Sequence, residues 1–357
     1  MKKIFVNPET NKEWWIETEG LNIKTCLNNG KIKEIVCEDY QYKSKPASAM
    51  IAQMRKGFIY QNPQAKFGES ICHQFVGRDN NGSWPIAAST EKEDFFITRI
   101  VGDFEDETLY HFDRDGNVLE TISLGAKRMT YEQVLCSDDS ILMNNSYLIE
   151  RFSLKIQEIT PFAGEKDNFK SMLDSKGDFV LWYTGTEIVV FDFLNNCDVW
   201  REKVDCRFGL LSPKHTKVAY CIEEQGYVIV NLKSQEKTLI KNNDGHPFFS
   251  PDDLYFSIGG KFYDSNNGKE ISNPFPFTIK KGLTDYDIFI VKTCGNLIAL
   301  QRDRGDSAIE LWDYKSKEKV AEIDDVFIVR NASFEFTKSN LVVHTDYGAV
   351  SIYNCSE

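Results

Sequence analysis

Residues 179–204 read FVLWYTGTEIVVFDFLNNCDVWREKV. Phe179 to Tyr183 is one apolar run, Thr184-Gly185-Thr186 is a turn, Glu187 to Phe193 is a second run passing through Phe191-Asp192, and Val199 to Val204 is a third. Short runs rich in aromatic and β-branched residues, divided by glycine and small polar residues, form strands joined by hairpin turns. Phe169 to Asp174 and the turn Ser175-Lys176-Gly177-Asp178 stand ahead of them and complete a unit of four strands.

The pair that closes the third strand of this unit recurs. Phe112-Asp113, Phe152-Ser153, Phe191-Asp192, Val230-Asn231, Tyr263-Asp264, Trp312-Asp313 and Tyr353-Asn354 are separated by 40, 39, 39, 33, 49 and 41 residues. That is the period of a four-stranded propeller blade, which buries its faces only by stacking on neighbours around a central axis. The next unit follows the same order: Phe208 to Ser212, the turn Pro213-Lys214-His215, then Val218 to Ile222, Tyr227 to Leu232 and Lys237 to Ile240. A shorter one runs Pro247 to Ser250, Leu254 to Ile258, Lys261 to Asp264 and Lys269 to Ser272. The expected fold is mainly β, a seven-bladed β-propeller over residues 63–357 behind a small α+β domain over residues 1–62.

The last unit supplies Ala332 to Phe336, Leu341 to Thr345 and Ala349 to Tyr353 and then stops. An open ring leaves unpaired strand edges, so the missing strand is expected from residues 70–77, where Ile71 to Val76 alternates ahead of the first unit.

Around these units the chain reads as water-soluble and cytoplasmic. Ile4-Phe5-Val6 is too short for the apolar core of a signal peptide, and no run approaches membrane-spanning length. Nine cysteines, at 26, 37, 72, 136, 197, 206, 221, 294 and 355, form no Cys-x-x-Cys and have no histidine pair beside them. Free thiols in a reducing compartment are expected, and no metal site. Asn-x-Ser/Thr at Asn81, Asn144, Asn331 and Asn354 is then unmodified.

Two resemblances stand on particular residues. Phe249-Ser250-Pro251-Asp252-Asp253 and Leu211-Ser212-Pro213-Lys214 resemble the Ser-Pro-Asp-Gly turn of WD-repeat propellers, Leu311-Trp312-Asp313 resembles their Trp-Asp ending, and Gly245-His246 stands where they often have Gly-His. This likeness covers about residues 84–354. At the other end, Trp14 to Gly20 reads as a strand, Asn28-Asn29-Gly30 as a hairpin turn, Ile32 to Cys37 as a strand and Lys45 to Lys56 as a helix with Pro46 in its first turn. This order, with Trp15-Ile16-Glu17, Gly20 and Arg55-Lys56-Gly57-Phe58, resembles the WGR module of poly(ADP-ribose) polymerases and assorted bacterial proteins. The resemblance implies nucleic-acid binding. Leu27-Asn28-Asn29 stands where the naming Trp-Gly-Arg triplet belongs, so the stacking indole and the guanidinium are absent.

Charge bears on that implication. Residues 1–60 hold ten Lys and Arg against seven Asp and Glu, a balance of +3, while the rest hold 32 against 47, or −15. Phosphate binding needs clustered cations, and the candidates are Lys24, Lys31 and Lys33. An acidic propeller repels polyanions and favours a partner with a basic surface.

The remaining motifs resolve into turns and loops. Asp113-Arg114-Asp115-Gly116-Asn117 begins like a calcium loop, but Ser123-Leu124 occupy the place of its bidentate Glu, and Asp-Gly favours a hairpin. Asp103-Phe104-Glu105-Asp106-Glu107 reads as a solvated acidic loop and Arg304-Gly305-Asp306 as a tight turn. Histidines 73, 111, 215, 246 and 344 show no ligand spacing, and no phosphate loop, nucleophile elbow or His-Glu-x-x-His occurs. No catalytic residue, metal or cofactor is therefore assigned. The expected function is a non-catalytic interaction scaffold or adaptor that presents a propeller rim to a protein partner. Two alternatives are nucleic-acid or nucleotide sensing through the WGR-like module, and a metal-dependent hydrolase or lyase site in the central channel.

Overall fold

The structure is a computed structural model and describes residues 2–27, 30–38, 44–77, 85–99, 107–125, 130–145, 149–162, 171–206, 208–280, 288–302, 308–324, 332–345 and 348–356. Asp103 to Asp106, Arg304-Gly305-Asp306, Asn81 and Asn331 lie outside them. Six four-stranded antiparallel sheets follow one another along the chain, over residues 86–123, 130–161, 171–203, 209–240, 248–271 and 288–323, each pairing its strands in chain order. We number these blades one to six. The molecule is a mainly β chain in a β-propeller arrangement.

The recurrent pair found in the sequence ends the third strand of every unit, and the geometry explains both halves of it. The large residue is core: Phe112, Phe152, Phe191, Val230, Tyr263 and Tyr353 are all buried. The polar residue organises the turn into the fourth strand, its side chain accepting backbone amides two to four residues ahead. Asp113 Oδ1 takes Asp115 and Asn117, Asn231 Oδ1 takes Lys233 and Ser234, Asp264 Oδ1 takes Asn266 and Asn267, and Asp313 Oδ1 takes Ser316. The Ser316 amide holds the Asp313 carboxyl below its ordinary value. The calcium-like run at 113–117 is thus a turn of this kind.

Sheets stack through apolar clusters shared by neighbours. Phe96 and Leu109 of blade one meet Ile141 and Phe152 of blade two; Val134 and Leu142 of blade two meet Val180 and Trp182 of blade three. The series continues through Leu181 with Tyr220, Ala219 with Phe256, Phe262 with Leu300 and Leu311 with Phe334. Val342 and Ile352 of the last sheet then pack on Phe95 and Phe112 of blade one, and the stack returns to its start.

The last sheet has nine strands and departs most from expectation. Five belong to the N-terminal region: β1 (Lys2–Asn7), β2 (Lys12–Glu19), β3 (Asn22–Leu27), β4 (Ile32–Val36) and β5 (Ile59–Gln61), with helix α1 (Ser44–Met54) between β4 and β5. Next comes β6 (Ser70–Phe75), then the C-terminal strands Ala349–Asn354, Asn340–Thr345 and Ala332–Phe336. β6 pairs antiparallel with Ala349–Asn354, with Cys72 opposite Ile352 and His73 opposite Ser351. On its other edge β6 pairs with β5, Tyr60 opposite His73, and β5 pairs with β1. The boundary expected at residue 62 therefore does not interrupt hydrogen bonding, and the sheet runs through it. α1 covers one face: Ala47 is buried, and Met50, Ile51 and Met54 cluster with Phe5, Trp14, Ile16, Phe58 and Ala349 of the C-terminal strand.

A buried polar line stitches the same junction. The Lys3 ammonium donates to Ser70 Oγ and, at 2.9 Å, to His73 Nε2, while His73 Nδ1 lies 2.8 Å from Ser351 Oγ. Because the ammonium has only protons to give, Nε2 is the acceptor and Nδ1 carries the hydrogen donated to Ser351. Burying such groups is tolerated because each has a partner.

Candidate functional site at the channel mouth

The first strands of the sheets surround a common channel, and the turns that leave them ring one mouth. Thr90, Gly177, His215, Asp252, Gly295 and Phe336 line a cavity there of about 340 Å³. These turns are shaped by the serines that end first strands in the WD-like motif. Ser212 Oγ accepts the Lys217 amide and Ser250 Oγ the Tyr255 amide, both at 3.0 Å. Between blades four and five the buried Asp253 gathers a network. Its carboxylate accepts Ser212 Oγ and Thr216 Oγ1 at 2.6 Å and the Lys214 amide at 3.0 Å, and its carbonyl accepts Lys217 Nζ at 2.9 Å.

Deeper in, a cavity of about 450 Å³ is lined by Glu132, Asp174, Lys292 and Glu335, among others. Three first strands carry a register shift here, between Thr130 and Glu132, Met172 and Asp174, and Ile288 and Ile290. A bulge of this kind re-aims the side chains that follow it. Lys292 is ion-paired to Glu335. Burial pulls its ammonium down, but Glu335, Asp174 and Glu132 outweigh this and raise it above its ordinary value. Asp174 serves the walls: Oδ2 accepts the Leu211 amide of blade four at 2.8 Å, and Oδ1 lies 3.5 Å from Lys176. Glu132 is exposed to the channel, yet protein encloses it closely. That enclosure, with the Asp174 charge added, pushes its carboxyl up to about 7.

The residues singled out in the sequence lie elsewhere. Lys24 pairs across the ladder with Glu34 and Lys33 with Thr25, so Lys24 and Lys33 project from opposite faces of the sheet. Lys24 Nζ lies 3.7 Å from Glu34 Oε1, and Lys31 sits on the approach to β4, exposed. The structure does not gather the three into one patch. Of the histidines, His215 reaches the mouth, stacked on Phe179 with ring centroids 4.6 Å apart, and burial pulls it below its ordinary value. His73 belongs to the buried line at β6, and His111 lies against Asp94. Among the described residues no group of three or more His, Cys, Asp or Glu could hold a metal ion. All nine cysteines are free thiols. Among the described residues no helix is long and apolar enough to cross a membrane.

The channel charges were missed in the sequence, although a signal for them exists. Asp174 follows Met172-Leu173, Lys292 follows Ile290-Val291 and Glu335 stands between Phe334 and Phe336, so each is a charge set beside apolar residues of a first strand, and Glu132 lies two residues before Val134.

No family model matches the chain, and no curated protein does. Solved structures do. A chain of the Mitotic Checkpoint Complex crystal structure superimposes with a TM-score of 0.56 at 10% identity, over 83% of this chain and 95% of that one. KlHsv2 with loop 6CD replaced by a Gly-Ser linker gives 0.48 at 12%, over 74% and 90%. This chain is a β-propeller with WD-repeat-like structural neighbours. The comparisons recognise six blades, not the seven read from the sequence, and lend nothing to the WGR resemblance of residues 1–62. The discrepancy arises at the nine-stranded sheet, where the C-terminal strands and β6 merge with the N-terminal extension.

Proposed function

We propose that this protein is a non-catalytic interaction scaffold, in which a ring of seven blades presents its channel mouth to a protein partner with a basic surface. In this reading the seventh blade is Ala332–Phe336, Asn340–Thr345, Ala349–Asn354 and β6, and β6 closes the ring. The observation that carries the functional reading is the mouth itself: turns from separate sheets converge on one open cavity, where Lys292 is ion-paired to Glu335 and Glu91 and Lys214 stand exposed. Such a surface is open to contact by a partner. The WD-repeat-like neighbours commonly serve as interaction scaffolds. The acidic balance outside residues 1–60 supplies the charge preference.

Charge reversal at the mouth tests this. The Glu91 and Lys214 side chains are exposed there, and Lys214 joins the Asp253 network through its backbone amide alone, which a substitution leaves in place. Affinity purification of the full chain from native lysate should recover a stoichiometric partner that the double variant Glu91→Lys/Lys214→Glu loses, while its melting temperature stays unchanged. Retention of the partner by this variant would remove the mouth from the interface. A purified chain that turns over a substrate and captures no partner would end the scaffold reading.

A further inference from the structure

The turn at 113–117 lies across the junction of β6 with Ala349–Asn354, which hydrogen bonds hold and no short connection does. Within the blades, paired strands are consecutive in sequence; across this ladder the chain path is about 270 residues. The turn is rigid from within, since Asp113 Oδ1 accepts two amides and Oδ2 accepts Asn117 Nδ2 at 2.8 Å. It then grips both sides of the junction. On the N-terminal side Gln74 Nε2 of β6 donates to the Gly116 carbonyl, and Gln61 Nε2 of β5 donates to Asn117 Oδ1 at 3.0 Å. On the C-terminal side Asn340 Nδ2 donates to the Arg114 carbonyl at 2.9 Å.

Gly116 presses directly on the ladder. Its φ is +86, and a Cβ there would lie 2.7 Å from Cys72 Sγ and 2.9 Å from Ile352 Cδ1. Cys72 and Ile352 are the cross-strand pair beneath it. Blade one also touches the C-terminal strands away from this ladder, where the Lys338 amide donates to the Lys92 carbonyl at 2.8 Å.

We propose that the turn is a strap over the ring closure, and that the junction beneath it opens as a unit of its own while the other sheets stay folded. The inference rests on reading β6 as the closing strand and is independent of what the mouth binds. Opening lifts Gly116 from Cys72 and bares the edges of β6 and Ala349–Asn354, two edges able to accept an extended segment. Local openings of this kind lie well below global unfolding in free energy.

Cys72 reports the opening. Cys72 and Cys136 are both fully buried, and burial pushes both thiols up to about 12, so they start matched and react only when uncovered. The experiment is N-ethylmaleimide labelling of the full chain in native buffer, read by peptide mass spectrometry, for wild type, Gly116→Ala, Asn340→Ala and Gly125→Ala. Gly125 has φ +77 with open space where a Cβ would stand, so its variant carries the backbone strain without the clash. Cys72 should label faster than Cys136 in wild type. Gly116→Ala and Asn340→Ala should raise the Cys72 rate tenfold or more and leave Cys136 unchanged, with Gly125→Ala at the wild-type rate. If Gly116→Ala fails to fold, Asn340→Ala decides. The strap is overturned if Cys72 and Cys136 label together in every variant, or if Gly125→Ala speeds Cys72 as much as the strap variants do. Either outcome leaves the closing-strand reading to its own test by deletion of β6.

Discussion

Glu132 stores a proton that the unfolded chain would not hold. Its carboxyl moves from an ordinary 4.5 to about 7 because the channel wall and Asp174 disfavour its charge. The folded protein therefore binds more protons than the unfolded chain between these values, so the stability this group lends is complete below 4.5 and is lost as pH rises through 7. Urea midpoints at pH 5 and pH 8 should differ less in Glu132→Gln than in wild type; an unchanged difference would show that channel water screens the site. Asp253 is a buried acid whose partners all donate to its carboxylate. Asp253→Ala strips Ser212, Thr216 and the Lys214 amide of their acceptor at once, and should cost about 3 kcal/mol by urea unfolding. A loss within 0.5 kcal/mol, the ordinary scatter of surface changes, would mean that water replaces the carboxylate. Neither role was visible in the sequence. Asp253 looked like part of a turn motif, and the convergence of Glu132 with Lys292 depends on sheets 160 residues apart.

At the scale of elements, strands whose sequence alternates between turn residues were legible almost to the residue. Phe179–Tyr183, Lys237–Ile240, Lys261–Asp264 and Ala332–Phe336 fall where the apolar runs place them, because a hairpin is a local decision made by its turn and its period. β1 was not legible. Ile4-Phe5-Val6 read only as too short to be a leader, yet β1 is a central strand between β2 and β5. Its central position comes from β5, whose paired residues lie 53 to 55 positions away and which no local pattern announces. β6 was found by a different route, from the deficit of one strand in the last unit. Its deletion, residues 70–77, should abolish cooperative unfolding, read as a broad, probe-dependent transition by circular dichroism and Trp fluorescence. A sharp melt near the wild-type temperature would refute the closing role.

Across the whole molecule, charge is unevenly divided, −15 outside residues 1–60 and +3 within them. The partner proposed for the mouth should therefore bind with a strong salt dependence. Raising salt from 50 to 300 mM should weaken it at least tenfold by slowing association and leave dissociation nearly constant. Salt-independent affinity would replace the basic surface with an apolar one. The repeat also explains why the sequence revealed architecture more readily than function. Its large residue fills the space between sheets and its polar residue folds the turn, so the most periodic positions are those occupied with holding the ring together.

The continuity of the nine-stranded sheet also has a consequence in time. During synthesis β6 precedes its partner Ala349–Asn354 by about 270 residues. At ordinary translation speeds that is a wait on the order of tens of seconds, far longer than a hairpin needs to form. Through that interval β1, β5 and α1 are already present to occupy one edge and one face of β6. The N-terminal extension thus acts as a cradle for the growing chain, keeping one strand in register until the last strands arrive to meet it.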